Sequence, residues 1–440
     1  MRRLTPQINC GDDAPTRRNR VTTPALSDEQ LRIFELVEDS RENLFITGRA
    51  GTGKSTLLNH IAAHTTKQIA ICAPTGVAAL NVEGQTIHAL FNLPIGLIGN
   101  QDLTHNPHKR KILAAIELLV IDEVSMVNAD VLDGIDRTLR EVRHKRHLPF
   151  GGVQVVMFGD PYQLPPVDAK GIEREYFADN YASMWFFDAR VWREAGVSTV
   201  ELNEIHRQHD NDFKRLLEAI RRNEVTQEMA ETINDVGARE APEGIITLAT
   251  RNDRVTTINA RHLAELPGKP KSAVADVNGE FPPGWFPADE ELHLKPGAQV
   301  MFLRNDPDGR WVNGTIGRVS KIGANVSVEV DGNVHEVMPS TWERFRYSYR
   351  AATKELTREV VAEFTQVPLR LAWAMTIHKS QGQTYDQAVI DLASGAFAAG
   401  QTYVALSRLT SLDGLYLTRP LKPADVRVDP NVERFMAALR

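Results

Sequence analysis

The sequence predicts an α/β protein built from two parallel-sheet lobes, with a small antiparallel β-barrel inserted into the second lobe. Short apolar runs alternate with helical segments early in the chain and again near its end, a pattern typical of doubly wound parallel sheets. In between, short alternating runs separated by Gly, Asn and Asp indicate antiparallel strands. The length of 440 residues exceeds one ordinary hydrophobic core, which also favours several domains.

Composition favours a cytosolic protein, either bacterial or phage-encoded, or nuclear or mitochondrial if the source is eukaryotic. No apolar run approaches the roughly 20 residues that span a bilayer, and the start lacks an apolar signal core. Cys10 and Cys72 are the only cysteines, which disfavours a disulfide framework. The net charge of -6 disfavours a protein that coats nucleic acid through overall charge, but it leaves a local cationic groove open.

Residues 1–23 are predicted to form a flexible tail, because Pro, Asn, Asp and scattered arginines occur there without helical or strand periodicity. The arginines also suit a mitochondrial presequence. Asp12 and Asp13 disfavour that alternative, since such presequences are poor in acids.

The first lobe is predicted over residues 24–200. Ser27 is a suitable cap for a helix with regular apolar spacing. A short buried strand, a Gly-rich turn and a second helix follow. The expected buried strands of this lobe cover residues 43–47, 68–72, 117–122 and 154–159.

The second lobe is predicted over residues 201–291 and 361–440, and the barrel over residues 292–360. The lobe's expected strands cover residues 245–249 and 387–391, and its expected helices cover residues 212–222 and 253–266. The expected barrel strands cover residues 299–303, 317–320, 325–330 and 333–337.

Residues 48–55 match the P-loop pattern GxxxxGK[ST] between a strand and a helix, the context that phosphate binding requires. The glycines let backbone N–H groups face a β-phosphate, Lys54 offsets the phosphate charge, and the Ser55 hydroxyl is a magnesium ligand. A Gly-rich turn without ligand is the alternative, which the flanking strand and helix disfavour. The predicted nucleotide-binding residues here are Gly48, Gly51, Thr52, Gly53, Lys54, Ser55 and Thr56.

Further polar residues follow strands or second-lobe elements and suit ATP hydrolysis. Asp122 is predicted to bind magnesium, directly or through water, and Glu123 to position and deprotonate the attacking water, with a plain surface acid pair as the alternative. Gln163 has the reach to sense the γ-phosphate. Arg207 and Arg408 suit charge neutralisation in the transition state, although each taken alone is more typical of an exposed arginine.

Read in order, nine segments resemble the motifs of superfamily 1 helicases, specifically the 5′-to-3′ branch with the petite integration frequency (Pif) family, RecD-like helicases and the phage helicase Dda. The resemblance covers nearly the whole chain after Ser27. The segments are Leu26-Ser-Asp-Glu-Gln30, the P-loop, Ala73-Pro-Thr-Gly-Val-Ala-Ala79, Thr86-Ile-His88, Asp122-Glu-Val-Ser-Met126, Gly159-Asp-Pro-Tyr-Gln-Leu-Pro-Pro166, Leu202-Asn-Glu-Ile-His-Arg207, Thr376-Ile-His-Lys-Ser-Gln-Gly382 and Tyr403-Val-Ala-Leu-Ser-Arg408.

Two further stretches resemble the Pif-like members of this branch. Residues 129–152 look like the Pif signature, with Leu139-Arg140 where the family usually has an Ala-Arg pair. Residues 295–301, 313–314, 317–319 and 341–342 look like the family's small β-barrel insertion.

The resemblance implies an ATP-dependent 5′-to-3′ DNA helicase with two RecA-like lobes, which moves on single-stranded DNA, unwinds tailed or forked duplexes and serves replication, repair or recombination. It implies that Gln30 recognises adenine, that Arg207 and Arg408 are arginine fingers, and that Gly382 couples nucleotide state to DNA. One P-loop with arginines supplied by the same chain implies a working monomer, with ATP and magnesium as cofactors and no membrane partner. No nuclease-like acid cluster or zinc-type Cys/His spacing is visible, so magnesium is the only metal expected.

The resemblance also implies a DNA path over the top of both lobes. For His88 alone, a satisfied structural histidine is the alternative. Small polar groups suit phosphate contacts that ignore base sequence. The predicted DNA-contacting residues are Pro74, Thr75, Thr86, His88, Thr250, Asn252, Thr376 and His378.

Residues 91–108 occupy the place of the family's strand-separating pin and are short and rich in Gly and Pro. Phe91 is a candidate for stacking on a base or wedging a duplex, and an ordinary core phenylalanine is the equally supported alternative.

Two other functions stay open from the sequence. A translocase that strips proteins from DNA and separates strands poorly suits the short pin. A nucleotide-gated DNA-binding switch that does not translocate is disfavoured, because two arginine fingers serve repeated hydrolysis.

Overall fold

The computed structural model describes residues 26–439, apart from residues 95, 100–102, 104, 168, 209, 351, 354, 394 and 397. The predicted tail at 1–23 therefore lies outside the described residues. Within the part that is described, no helix combines the length and apolar character needed to cross a membrane.

A six-stranded parallel sheet forms the centre of the first lobe, in the order β3-β2-β4-β5-β1-β6. Its strands are β1 (Leu44–Gly48), β2 (Ile69–Ala73), β3 (Gln85–Thr86), β4 (Leu118–Ile121), β5 (Gln154–Phe158) and β6 (Ser198–Leu202). The four predicted strands are present. Because β6 pairs with β1 through Leu202, residues 201–202 belong to the first sheet, although the second lobe was predicted to begin at 201.

Helices cover both faces of this sheet, because alternate side chains of its strands enter different cores. Phe45 lies in one buried apolar cluster, whereas Leu44 and Ile46 lie in another. Ser27 caps the first helix, as predicted, and shares a reciprocal capping box with Gln30. The helices are α1 (Asp28–Asp39), α2 (Lys54–His64), α3 (Gly76–Asn81), α4 (Ile87–Phe91), α5 (Pro107–Ala115), α6 (Ala129–Val142), α7 (Ile172–Asn180) and α8 (Arg190–Glu194).

A four-stranded parallel sheet forms the second lobe, which confirms a mixed α/β architecture with parallel sheets. Its order is β18-β7-β19-β20, with β7 (Thr247–Ala249), β18 (Ala374–Thr376), β19 (Ala388–Asp391) and β20 (Leu415–Leu417). The accompanying helices are α9 (Asn211–Arg221), α10 (Gln227–Gly237), α11 (Asn252–Glu265), α12 (Gln401–Leu406) and α13 (Pro430–Ala438).

Antiparallel strands fill the region between β7 and β18. A five-stranded sheet has the order β14-β13-β12-β11-β17, with β11 (Gln299–Phe302), β12 (Ile316–Ile322), β13 (Val326–Val330), β14 (Asn333–Val337) and β17 (Leu369–Leu371). A three-stranded sheet joins β15 (Ser340–Arg350), β16 (Glu355–Gln366) and β9 (Asp276–Gly279), and a two-stranded sheet joins β8 (Lys271–Val274) and β10 (Glu291–Leu294). The four predicted strands are present, but the long β15–β16 hairpin was missed and runs past the predicted boundary at 360.

The β15–β16 hairpin packs on the edge of the first-lobe sheet. The Tyr347 hydroxyl accepts a 2.7 Å hydrogen bond from the backbone N–H of Ile71 in β2. The side chain of Gln85 donates to the backbone carbonyl of Phe345 at 2.9 Å. The hairpin therefore supplies partners for polar groups at a sheet edge that β3, only two residues long, leaves partly uncovered.

The end of the chain returns to the first lobe. Phe435 of α13 stacks on Phe187, with ring centroids 4.1 Å apart, and meets Phe45 and Trp192 at 6.1 and 5.7 Å. The Trp185 indole donates a 2.8 Å hydrogen bond to Asp429 at the start of α13. This helix therefore joins the two lobes, whereas the sequence assigned it to the second lobe alone.

Candidate nucleotide site and DNA-facing surface

The P-loop joins the carboxyl end of β1 to the start of α2. Gly51 and Gly53 have φ angles of 85° and 77°, which glycine adopts without strain. A Cβ atom at Gly51 would lie 2.6 Å from the Cβ of Arg207. Glycine at this position therefore permits both the loop conformation and the close approach of Arg207.

The side chain of Lys54 lies against the backbone of the P-loop. Its Nζ donates hydrogen bonds to the carbonyls of Gly48 at 2.6 Å and Arg49 at 3.0 Å. Burial lowers the pKa of the lysine, and the nearby Asp160 and Glu123 carboxylates oppose that shift. A phosphate oxygen is the natural additional partner for an ammonium group in this position.

Asp122 and Glu123 follow β4 at the same edge of the sheet. Glu123 has the left-handed backbone angles φ 49° and ψ 44°, which turn the chain sharply after the strand. Burial raises the pKa of Glu123, and Lys54 acts against that rise. Burial, with the neighbouring Glu123 charge, raises the pKa of Asp122. A carboxyl group with a raised pKa in a cavity suits proton abstraction from water.

Arg207 and Arg408 approach the P-loop from two directions. Arg207 donates to the Ser407 carbonyl at 3.1 Å, and Arg408 donates to the Val404 carbonyl at 3.0 Å and to the Ser407 hydroxyl at 2.9 Å. Burial lowers the pKa of Arg408, and the positive charge of Arg207 adds to that shift. Neither arginine forms an ion pair with a carboxylate among the described residues, so this cationic environment favours a polyanion.

Most of these groups line one cavity of about 390 Å³, whereas the predicted site residues Gly48 and Asp122 are not part of its wall. His206 and Thr384 also contribute to its wall, and they were not predicted, because their only sequence signal is their position near Arg207 and Gly382. The lining residues are Ala50, Gly51, Thr52, Gly53, Lys54, Ser55, Thr56, Glu123, Gln163, His206, Arg207, Gly382, Thr384 and Arg408.

Gln30 lies behind the P-loop rather than on the wall of this cavity. It is 3% exposed and its amide donates to the carbonyls of Thr52 and Gly53 at 3.4 and 3.2 Å. Its amide oxygen accepts from the backbone N–H of Ser27. In this conformation Gln30 supports the P-loop, so its predicted adenine contact needs a different side-chain conformation.

Two buried residues that hold the site were not predicted from the sequence. The Tyr403 hydroxyl accepts a hydrogen bond from the Ala50 backbone, and Arg221 forms an ion pair with Asp160, a neighbour of Gln163. Tyr403 begins a recognised motif and so carried a signal. Arg221 ends a helix, where an arginine is usually exposed, so its sequence position carried no signal of this role.

The predicted DNA-contacting residues lie at the carboxyl ends of the two parallel sheets. Thr75 and Asn252 are exposed at the first turns of α3 and α11, His378 is exposed after β18, and His88 and Pro74 are half-buried. Burial lowers the pKa of both His88 and His378, so both rings favour the neutral form.

Three predicted DNA-contacting residues are buried in this conformation, since Thr86, Thr250 and Thr376 are at most 5% exposed. The Thr86 hydroxyl caps α4 by accepting from Ala89, and the Thr376 hydroxyl accepts from Lys379. Their local roles are therefore in turns and caps rather than on an open DNA surface.

For Phe91, the structure favours the core alternative over base stacking. Phe91 is 0% exposed and lies in the main apolar core with Leu90 and Ile112. A ring that is fully enclosed by core side chains contributes packing energy and offers no face to a base. The pin region retains exposed residues such as Asn92 and Gly96, but residues 95, 100–102 and 104 lie outside the description.

The donor set fits a magnesium ion. Ser55 is exposed at the start of α2 and Asp122 is half-buried after β4, so both offer the oxygen ligands that magnesium prefers. Among the described residues, no group of three His, Cys, Asp or Glu side chains could hold a metal ion by itself. Phosphate oxygens and water would therefore complete the coordination.

Comparison with known proteins assigns the family. A model described as PIF1-like helicase matches residues 25–243. An ATP-dependent DNA helicase Pif1 from Bdellovibrio bacteriovorus is 37% identical over 424 residues, covering 93% of this chain and 91% of the relative. The chain belongs to the PIF1-like helicase family.

Other PIF1-like proteins extend the comparison. An ATP-dependent DNA helicase PIF1 from Rattus norvegicus is 37% identical over 440 residues, covering 95% of this chain, which spans 64% of that relative's length. The crystal structure of Bacteroides sp. Pif1 in complex with ADP-AlF4 has a TM-score of 0.88 at 37% identity, covering 94% of this chain and 97% of that chain. The crystal structure of Bacteroides Pif1 bound to ssDNA has a TM-score of 0.68 at 38% identity, covering 94% of this chain and 97% of that chain.

Proposed function

We propose that this PIF1-like chain is an ATP-dependent DNA helicase that moves 5′-to-3′ on single-stranded DNA and unwinds tailed or forked duplexes. The observation that carries the proposal is the cavity of about 390 Å³, in which Lys54, Glu123 and Gln163 of the first lobe face Arg207 and Arg408. A site with residues from both lobes links nucleotide turnover to lobe movement. The 5′-to-3′ direction rests on the family resemblance.

The residues of the cavity divide the work of ATP hydrolysis. Lys54 binds the β- and γ-phosphates, and Arg207 and Arg408 neutralise charge that develops on the transferred group. Glu123 orients the attacking water and takes its proton, while Gln163 contacts the γ-phosphate. A magnesium ion held by Ser55 and Asp122 would supply Lewis-acid stabilisation of the phosphate oxygens. Gly382, on the cavity wall, is placed to report nucleotide state to the DNA-binding surface.

The proposed DNA path crosses the carboxyl ends of both sheets. The accessible residues Thr75, His88, Asn252 and His378 contribute contacts to phosphates and sugars that are indifferent to sequence. The higher TM-score with the ADP-AlF4 complex than with the ssDNA complex supports a DNA-free arrangement here. DNA binding is therefore accompanied by movement of one part of the molecule relative to another.

The proposed domains follow from the sheets. The first RecA-like lobe extends to the end of β6 at Leu202, and residues 203–291 and 361–440 form most of the second. The inserted residues 292–360, with the strands that pair to them, form the small β-barrel. The chain works as a monomer because the P-loop and both arginines belong to it, and we place it in the cytoplasm.

The test is ATP turnover with and without single-stranded DNA. The wild-type chain is expected to hydrolyse ATP faster with DNA, and Lys54→Ala to lose that activity. Lys67→Ala is the matched control, since Lys67 lies outside the cavity and donates to the Val37 and Ser40 carbonyls. Turnover retained by Lys54→Ala would contradict the site assignment.

A further inference from the structure

A buried ion pair lies beneath the proposed ATP site. The Arg221 guanidinium approaches an Asp160 carboxylate oxygen at 3.2 Å, and the two side chains are 1% and 0% exposed. Arg221 ends α9, whereas Asp160 follows β5 in the first lobe. The pair therefore joins a helix beyond the first-lobe sheet to the loop that carries Gln163.

One arm of this network reaches Gln163. An Asp160 carboxylate oxygen accepts from the Gln163 amide at 3.2 Å, and the other accepts from the backbone N–H of Tyr162 at 3.2 Å. The Arg221 guanidinium also lies 4.3 Å from the centre of the Tyr162 ring. Arg221 thus holds the turn whose next side chain, Gln163, lines the cavity.

A second arm reaches the P-loop. Glu218 lies 3.5 Å from Arg221 and 3.3 Å from Arg49. The Arg49 backbone carbonyl accepts a hydrogen bond from Lys54. The Arg221 guanidinium is therefore linked to both sides of the cavity. The Asp160 carboxylate connects it to Gln163, and the Glu218 carboxylate connects it to the P-loop.

Stability alone is a poor reason for this arrangement. Burying a charged pair costs desolvation free energy, and well-packed apolar residues in the same place are often as stabilising. A planar guanidinium gives geometric precision, however, because it can hold several carboxylates at fixed angles, and Arg221 approaches Asp160, Glu218 and Glu201 at 3.2, 3.5 and 3.8 Å. Small displacements of groups around a reacting phosphate are costly in rate.

We propose that Arg221 is a positioning residue for ATP hydrolysis, which sets Gln163 through Asp160 and the P-loop through Glu218. The inference rests on the proposed ATP hydrolysis at this cavity. Arg221 itself does not line the cavity and acts only through these neighbours.

The first test compares Arg221→Lys, which keeps the charge and loses the planar fork, with Arg222→Lys. Arg222 is the matched control, because it pairs with the same Glu218 at 2.5 Å but is 29% exposed. Arg221→Lys is expected to lower kcat by about tenfold or more, with a smaller change in the affinity for a fluorescent ATP analogue. Arg222→Lys is expected to match the wild type. Equal kcat for the two variants would overturn the inference.

A double-mutant cycle tests the route through Gln163. If Arg221 acts through Gln163, Arg221→Lys costs less in a Gln163→Ala background than in the wild type. Additive losses would contradict that route and indicate a general structural effect.

A milder variant keeps the inference testable if Arg221→Lys does not fold. Glu218→Gln removes the second arm and leaves the Arg221–Asp160 pair, and it is expected to weaken binding of the ATP analogue at least about threefold. If Glu218→Gln binds the ATP analogue as tightly as Arg222→Lys does, the proposed route from Arg221 through Glu218 to the P-loop is contradicted. A wild-type chain without ATPase activity would instead contradict the proposed function, so the two failures are distinguishable.

Discussion

The hydroxyl of Tyr403, in α12, accepts a 3.0 Å hydrogen bond from the backbone N–H of Ala50 in the P-loop. Both residues are buried, and they are 353 positions apart in the chain. A side chain from near the end of the chain therefore holds the P-loop, which lies near its beginning. The conformation of the P-loop depends on the position of α12, the helix that leads into Arg408.

Removing this hydroxyl tests the coupling. Tyr403→Phe leaves the buried Ala50 N–H without its partner, which costs about 1–3 kcal/mol. We expect the KM for ATP to rise about fivefold or more while the fold is retained. Tyr385→Phe is the control, because among the described residues the hydroxyl of the buried Tyr385 donates only to the Met375 sulfur, at 3.5 Å. Equal KM values for both variants would contradict the coupling.

Replacing either arginine of the cavity by lysine is expected to lower kcat strongly. Loss of an arginine finger costs on the order of 10³-fold, because lysine lacks the planar fork that contacts several oxygens. Arg207→Lys and Arg408→Lys are compared by DNA-stimulated ATPase assays and by binding of a fluorescent ATP analogue. Arg215→Lys is the control, since the Arg215 side chain is 74% exposed. If the two variants bind the ATP analogue more weakly but keep the wild-type kcat, a role of the arginines in the transition state is contradicted.

The raised pKa of Glu123 predicts the pH dependence of activity. The general base works when ionised, so the acid limb of the kcat profile is expected at a higher pH than that of an ordinary glutamate, whose pKa is about 4.3. A profile that stays flat down to the pH range of an ordinary glutamate would contradict this assignment.

The raised pKa of Glu123 also predicts how this residue changes the stability of the fold with pH. A carboxyl group with a folded-state pKa above its unfolded value binds more protons when folded, so its contribution to stability is present at low pH and lost as pH rises through the folded pKa. Glu123→Gln is therefore expected to raise Tm relative to the wild type at pH 7.5, with little difference near pH 4.5. A lower Tm for the variant at pH 7.5 would contradict the shift.

The hairpin contact with the first lobe is also testable. Tyr347→Phe leaves the Ile71 N–H at the sheet edge without its hydroxyl partner and is expected to reduce the free energy of unfolding by about 1–3 kcal/mol. Tyr349, two residues further on the same face of β15, provides the control variant Tyr349→Phe. Denaturant unfolding curves measure both, and equal stabilities would contradict the importance of this contact.

The sequence predicted those parts of the fold whose signals are local. The strands around the P-loop are continuous apolar runs with helices between them, so their places were recognised within a few residues. The β15–β16 hairpin was missed because charged and aromatic side chains alternate along it. Its apolar residues are also divided between two clusters, since Trp342 and Phe364 pack with Phe281 whereas Tyr347 belongs to the main apolar core.

The residues of the candidate site also divide into those with a local sequence signal and those without one. Lys54, Glu123, Gln163, Arg207 and Arg408 were found because each belongs to a recognised motif, and the cavity brings them together. Arg221 was not found, because its partners come from distant segments that only folding places beside it. The sequence left Phe91 open between a DNA contact and a core position, and the packing places it in the core.

Unwinding of tailed duplexes tests the proposed helicase activity as a whole, because it requires ATP turnover, movement and direction together. The wild-type chain with ATP and magnesium is expected to unwind a duplex with a 5′ single-stranded tail, to unwind a 3′-tailed duplex poorly, and to lose both activities in Lys54→Ala. Preference for the 3′ tail would contradict the direction of movement. Unwinding by Lys54→Ala at the wild-type rate would contradict the nucleotide site on which the account depends.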